Sequence, residues 1–328
     1  MEEPEVDYWK IIREHYVSKG YSQSTVDIIT SSWRQSSQSS YKTYFKKWFL
    51  YSKLNKVSFL NPCDSEALSF LTKLFEDGCS YSQINSARSA LSLLFALEKS
   101  NQWGSLHLVK RFMKGVFELR PVMPKYSTIW DVKIVFNYFR QLPSPSELTL
   151  NVLSKKLALL IGLVSGGQRC QTIHCINLKD LIFTKNKLLI PIMDKIKQTK
   201  HGKHMAPLQF KRYYNEPKLC VIKNLEAYIQ KTKSLRSSTS LFISYIKPHK
   251  PIGKERLSNW CKDILRASGI NTALYTTHSS RSAASSKAKS SGMSLPTILE
   301  HAGWSNENTF AHHYEKVIQD EQDIDIRD

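Results

Sequence analysis

Apolar side chains recur every three or four residues through residues 36–120, which is the spacing of amphipathic helices. In the stretch that begins at Ser36, aromatic positions alternate with lysines in this way. Further helices are predicted from about Ser65, from about Ser82 and over residues 107–119. Because no strand-like alternation separates them, this region predicts a compact helical bundle, and residues 1–35 predict a partly helical lead-in.

A break follows the bundle, because Pro121 and Pro124 discourage a helix and the charges beside them favour exposure. We therefore predict a linker over residues 121–127 and a second domain over residues 128–328. Helical spacing resumes there over residues 130–142, 150–164, 171–178, 219–231 and 256–268. Alternating segments around turn-forming residues 185–187 and 201–202 predict a small three-stranded sheet. The expected fold class is mainly α with a small antiparallel β-sheet (α+β).

A polar, small-residue helix is predicted where His278 and Arg281 occur three residues apart. This spacing puts both side chains on one face, and Gly292 suits the end of the helix. If the helix begins here, both groups lie over free backbone N–H groups and the positive end of the helix dipole. That combination favours a bound phosphate.

Two more short helices are predicted before the C-terminus. The first begins near Ser294 and ends at Gly303, and Asn306 can cap the second. The second is expected to carry four apolar or aromatic residues on one side: Phe310, Tyr314, Val317 and Ile318. An aromatic residue on such a stripe is ordinarily part of the core.

The charge of the chain points to a polyanionic partner. Lysine and arginine together number 47 against 28 acidic residues, for a net charge of +19. A solvated surface needs no such excess, so nucleic acid is the first choice of partner and an anionic membrane the second. No apolar run is long enough to span a bilayer, and the acidic N-terminus does not resemble a signal peptide.

The six cysteines are scattered and form no CxxC pair, which favours reduced thiols in an intracellular protein. Cys170 and Cys175 lie near His174, but no second pair of metal ligands follows them. We therefore predict neither a disulfide framework nor a metal site.

Four residues near the C-terminus change the interpretation, because of their order and spacing together. An HxxR motif (His278, Arg281), then Trp304 after a glycine, then Tyr314 resembles the C-terminal signature of the tyrosine recombinase (phage integrase) family. With Trp in the HAGW motif, the sequence is most similar to recombinases of eukaryotic DIRS-like retrotransposons and cryptons. The interval from Trp304 to Tyr314 is one residue longer than usual.

The resemblance extends upstream, where the family has a catalytic arginine and a catalytic lysine. Arg169 follows two glycines, as the first catalytic arginine of the family does. Lys200 precedes a glycine-containing turn, which resembles the β-hairpin of the catalytic lysine, with Lys197 and Lys203 as rivals. Residues 36–120 resemble the family's core-binding domain, and residues 128–328 its catalytic domain with an acidic C-terminal tail.

The resemblance implies that Tyr314 attacks a DNA phosphate and forms a 3′-phosphotyrosine link, without a cofactor or metal. It implies that Arg169 and Arg281 clamp the phosphate, His278 exchanges a proton, Trp304 buttresses the pocket and Lys200 protonates the leaving hydroxyl. The residues predicted to contact double-stranded DNA are Lys42, Lys46, Lys47, Arg88, Lys110, Arg111, Lys114, Lys197 and Lys203.

The family assembly implies a homotetramer on two DNA sites, and a monomer or dimer without DNA. The acidic tail is then expected to dock on a neighbouring protomer, and a eukaryotic protein of this kind acts in the nucleus. Two alternatives remain open at this point. One is a domesticated relative that binds DNA without cutting it, and the other is a relaxing enzyme like topoisomerase IB.

Overall fold

The computed structural model describes residues 6–98, 102–123, 125–197, 199, 201–202, 204–304 and 306–319. The chain forms two compact units, Met1–Pro124 and Lys125–Asp328. The division lies inside the segment that the sequence predicts as a linker. Among the described residues, no helix is long and apolar enough to cross a membrane.

The N-terminal unit is a bundle of helices around an aromatic core. Its helices are α1 (Tyr8–Ser18), α2 (Gln23–Thr30), α3 (Gln35–Asn55), α4 (Asp64–Glu76), α5 (Tyr81–Phe95) and α6 (His107–Leu119). Trp48 and Phe95 are fully buried at its centre with their rings 5.6 Å apart. Burial of such rings accounts for much of the stability of a bundle of this size.

The first helix corrects the expectation that residues 1–35 are a lead-in to the bundle. Tyr8, Trp9 and Ile12 are buried in the same core as Phe45 and Trp48. The Trp9 indole N–H also donates to the Gln38 carbonyl at 3.2 Å. The segment therefore contributes core side chains, because its apolar residues fall on one face of α1.

The C-terminal unit is built around the apolar helix α8. Its helices are α7 (Val132–Gln141), α8 (Leu150–Val164), α9 (Cys170–His174), α10 (Val221–Thr232), α11 (Lys254–Ala267), α12 (Ser279–Ser290), α13 (Leu295–Ala302) and α14 (Glu307–His313). Helix α8 is buried on nearly all sides, because α9, α10, α11 and α12 pack around it. The predicted span of this helix, residues 150–164, is confirmed.

The predicted small sheet is confirmed as well. Strands β2 (Ile182–Phe183), β3 (Lys187–Ile190) and β4 (Leu208–Lys211) form one antiparallel sheet in that order. The fold is therefore mainly α with a small antiparallel sheet, as expected from the periodicity. The short helix α9 ends at His174, four residues before the predicted end.

A second, parallel pairing was not foreseen. Strand β1 (Thr128–Trp130) pairs with β5 (Val317–Gln319), with Ile129 opposite Ile318. The prediction of a helix from Trp130 is therefore wrong by two residues, and the last helix does not continue to Ile318. Each strand has only three residues, so its extended conformation depends on pairing with a strand from the other end of the domain and on packing against α12.

Candidate active site

The turn after α8 brings Arg169 to the site. Gly166 and Gly167 both adopt the left-handed conformation, with φ of +78° and +86°. A Cβ at Gly167 would lie 2.8 Å from the Cα and the carbonyl oxygen of Arg281, so the two backbones touch here. Arg169 follows as the N-cap residue of α9. The double glycine therefore places the first arginine beside the helix that carries the second.

Most of the predicted catalytic residues line one cavity of about 380 Å³. Its lining includes Arg169, Lys197, His278, Arg281 and Tyr314. These residues come from the α8–α9 turn, the segment after β3, the start of α12 and the end of α14. Lys200 and Lys203 lie outside the described residues.

Arg281 points into the interior rather than over the free end of its helix. Its guanidinium donates to the carbonyl oxygens of Gly167, at 2.9 Å, and Ala302, at 2.5 Å. It also lies 4.2 Å from the centre of the Trp304 ring. Burial, and then the charge of Arg169, lowers the pKa of Arg281 to about 10. At neutral pH this group is still a cation, held in one orientation.

The guanidinium of Arg169 is in a different situation. It is half-buried, and within the described part of the chain it has no hydrogen-bond or ion-pair partner. Its donors are therefore available to a ligand in the cavity. Because Arg169, Arg281 and Lys197 line the same small space, an anion there is favoured electrostatically.

His278 is the N-cap residue of α12, and its Nε2 lies 3.5 Å from the Tyr314 hydroxyl. Burial lowers its pKa below the ordinary histidine value, and the charges of Arg169, Arg281 and Lys197 lower it further. The imidazole is therefore neutral at pH 7 and can accept a proton from the hydroxyl beside it.

The sequence predicts Tyr314 on the last helix, but in the structure this residue lies directly after the helix ends. It is the C-cap residue of α14, with a backbone conformation outside the helical region. Its ring packs on Trp304, with centroids 4.4 Å apart, in a small cluster with Phe310 and Ile298. Although the interval from Trp304 to Tyr314 is one residue longer than usual, Tyr314 still lines the cavity. The Trp304 ring packs against the Tyr314 ring and supports it.

The residues predicted to contact DNA on the N-terminal unit are mostly exposed. Lys42, Lys46 and Lys47 lie on the outer face of α3. Lys110, Arg111 and Lys114 lie on the face of α6 opposite its buried side. Arg88 differs, because it is half-buried and donates to the Gly104 carbonyl at 2.9 Å. Its guanidinium supports the packing of its own unit.

Some residues that build the site carry no motif signal. Gln168 donates to the His301 carbonyl and ties the arginine turn to α13. Ser286, on α12, bonds to the backbone on both sides of Glu315. A lone glutamine or serine has no distinctive pattern in one sequence, so only the coordinates reveal these contacts.

Comparison with known proteins decides the family. The sequence profile of the phage integrase family matches residues 145–321, more than half of the chain. The chain belongs to the phage integrase (tyrosine recombinase) family. A search of curated proteins with this recombinase sequence gave no match.

Solved structures share the fold of this phage integrase family member at low identity. A lambda integrase (75–356) dimer bound to a COC′ core site has a TM-score of 0.53 at 15% identity, over 98% of this chain and 99% of that chain. XerH recombinase bound to a palindromic difH substrate has 0.60 at 16%, over 83% and 74%. Tn1549 transposon integrase with circular intermediate DNA has 0.53 at 14%, over 76% and 80%.

Proposed function

We propose that this protein cuts and rejoins DNA through a 3′-phosphotyrosine link at Tyr314, in site-specific recombination or the integration of a mobile element. The observation that carries the proposal is the cavity in which the Tyr314 hydroxyl meets His278 and two arginines. Family membership and the integrase and recombinase neighbours support it. The mobile element that the resemblance favours is a DIRS-like retrotransposon or crypton.

The proposed reaction begins at the phenol. The Tyr314 oxygen attacks the phosphorus in line, and its proton passes to the neutral imidazole of His278. The bond from phosphorus to the 5′ oxygen breaks, and that oxygen takes a proton from the catalytic lysine, which the resemblance identifies as Lys200. Lys197 is the described lysine at the cavity. The phosphotyrosine link conserves the bond energy that rejoining needs.

The two arginines have complementary parts in this proposal. Arg281 is already oriented by two carbonyl groups and the Trp304 ring, so it presents a fixed positive charge to the phosphate. Arg169 supplies donors that no described residue uses. A preorganised donor for the developing charge typically contributes about 10²- to 10³-fold in rate.

The proposed function also implies a binding partner and an oligomeric state. The neighbours named above include a DNA-bound dimer, and another is a lambda integrase tetramer bound to a Holliday junction. We propose double-stranded DNA as the partner here, a homotetramer on two sites, and a monomer or dimer without DNA. The exposed lysines of α3 and α6 then contact phosphates. If the source is eukaryotic, the protein acts in the nucleus.

Covalent capture tests this function directly. Labelled duplex fragments of the DNA that flanks the coding sequence are incubated with the protein and denatured in detergent. Label that stays on the protein until protease is added, and that maps to Tyr314, supports the proposal. DNA binding without any adduct instead indicates a non-cutting relative. Relaxation of any supercoiled plasmid without strand exchange indicates an enzyme like topoisomerase IB.

Arg169→Ala is expected to slow adduct formation about a hundredfold, because the phosphate loses a donor. The free energy of unfolding should change by less than about 0.5 kcal/mol, since no described residue bonds to this guanidinium. Single-turnover cleavage and denaturant unfolding measure the two effects. Arg266→Ala, which removes the same charge from an exposed position on α11, should cleave at the wild-type rate. Equal losses of cleavage rate in Arg169→Ala and Arg266→Ala would contradict a specific role for Arg169 in cleavage.

The pH dependence of cleavage follows from the lowered pKa of His278. The neutral imidazole accepts the proton, so the rate at subsaturating DNA (kcat/KM), which reports the protein before DNA binds, falls only as the pH drops through that lowered pKa. The half-maximal point on the acid side should therefore lie below about 6.5, the ordinary histidine value. His278→Gln should abolish this acid limb. An acid limb in the wild type at or above 6.5 would argue against His278 as the acceptor.

A further inference from the structure

The backbone around Tyr314 needs a support of its own, because helix α14 ends at His313. Beyond that point, the Tyr314 N–H still donates to the Phe310 carbonyl at 2.8 Å, but the Tyr314 carbonyl has left the helix. A tyrosine at the end of a short helix can move its hydroxyl through a wide arc with small changes in backbone angles. Attack on a phosphorus requires a much narrower range of positions.

Ser286 supplies that support with a single hydroxyl. Its Oγ donates to the Tyr314 carbonyl at 3.0 Å and accepts from the Lys316 N–H at 3.1 Å. The side chain is buried, so water does not replace either bond readily. The hydroxyl thus bridges the residues before and after Glu315 and fixes the direction of the chain between them.

Ser286 lies on α12, so its two hydrogen bonds connect the tyrosine segment to the helix that carries other residues of the site. The same helix carries Arg281, and His278 caps its start. A buried helix is a rigid element, so the distances from Ser286 to Arg281 and His278 stay constant. The tyrosine segment is therefore attached to the element that holds the phosphate and the proton acceptor.

We propose that Ser286 is a positioning residue, which holds the backbone of Tyr314 so that its hydroxyl stays beside His278 and within reach of the phosphate. The inference rests on the proposed function. Two other attachments hold the same segment, namely the pairing of β5 with β1 and the ion pair of Lys289 with Glu315. Loss of the Ser286 hydroxyl therefore leaves the segment attached but loosens it at the residue that attacks.

The test compares three proteins in single-turnover adduct formation at saturating flanking duplex, under reducing conditions. Ser286→Ala removes the donor and the acceptor, and its adduct rate should fall about 10- to 100-fold. Ser286→Cys keeps a similar volume with a weaker hydrogen-bonding group, and its adduct rate should lie between those of the wild type and Ser286→Ala. The dissociation constant for DNA should stay within about twofold of wild type in both, because Ser286 acts on the nucleophile.

Ser285→Ala is the matched control. Ser285 is buried on the same helix, but among the described residues its hydroxyl donates to the carbonyls of Arg281 and Ser282, within α12 itself. This variant should form the adduct at the wild-type rate. The inference is overturned if Ser286→Ala and Ser286→Cys react like the wild type, or if Ser285→Ala loses as much rate as Ser286→Ala. Absence of an adduct in the wild type instead overturns the proposed function.

Discussion

Tyr314→Phe is expected to abolish covalent capture of DNA, with a rate at least about 10⁴-fold below wild type, while DNA binding stays within about twofold. The substitution removes only the attacking oxygen. Its ring keeps the contacts with Trp304 and Phe310, so the free energy of unfolding should change by less than about 1 kcal/mol. Denaturing gels measure the adduct, and a binding assay on the same duplex measures affinity.

The control for this variant makes the same chemical change elsewhere in the unit. Tyr245 is half-buried against Trp260 and does not line the cavity. Tyr245→Phe should therefore capture DNA at the wild-type rate. An adduct that persists in Tyr314→Phe and maps to another residue would show that Tyr314 is not the nucleophile.

Gly167→Ala is expected to destabilise the protein by about 2–5 kcal/mol and to reduce adduct formation even where the protein remains folded. The residue has a φ of +86°, which costs a non-glycine residue about 1–2 kcal/mol. The new Cβ also lies 2.8 Å from the Arg281 backbone, and relieving such a collision typically costs about 1–3 kcal/mol. Denaturant unfolding gives the stability, and single-turnover cleavage the activity.

The neighbouring glycine separates the two contributions. Gly166 has a similar φ of +78°, but its Cβ would meet only the Cβ of His301, at 3.3 Å. Gly166→Ala should therefore show mainly the cost of the backbone conformation, about 1–2 kcal/mol, with a small addition from the His301 contact, and keep most of the activity. Equal stability losses in both variants would contradict the argument that Gly167 is required by its contact with α12.

Local patterns predicted the elements that form through contacts within a few residues. The helices over residues 107–119 and 150–164 have the predicted bounds, because their apolar spacing and their ends are encoded in adjacent residues. Ser294, Gly303 and Asn306 cap the short C-terminal helices as predicted, for the same reason. The membership of the lead-in helix in the first core was missed, since a helical stripe does not reveal its partner.

Arg281 shows where local reasoning about the site fails. The sequence predicts that Arg281 lies above the N–H groups of its own helix. In the structure its guanidinium donates instead to the carbonyl groups of Gly167 and Ala302, which are distant in sequence. Its neighbours depend on how α12 packs against the glycine turn and α13. The Arg88 guanidinium likewise donates to the Gly104 carbonyl within its own unit, a contact that the sequence did not predict.

The sequence by itself determined the helical character of the chain, the small antiparallel sheet, its charge and the set of residue types that identifies the family. Those properties arise from neighbours along the chain, from composition and from the order of a few residues. Only the tertiary structure decided that Tyr314 lies beyond its helix, that β5 pairs with β1 and that Ser286 holds the tyrosine segment. Each of these depends on a contact between distant segments, and packing free energy then overrides the weak preferences of short stretches.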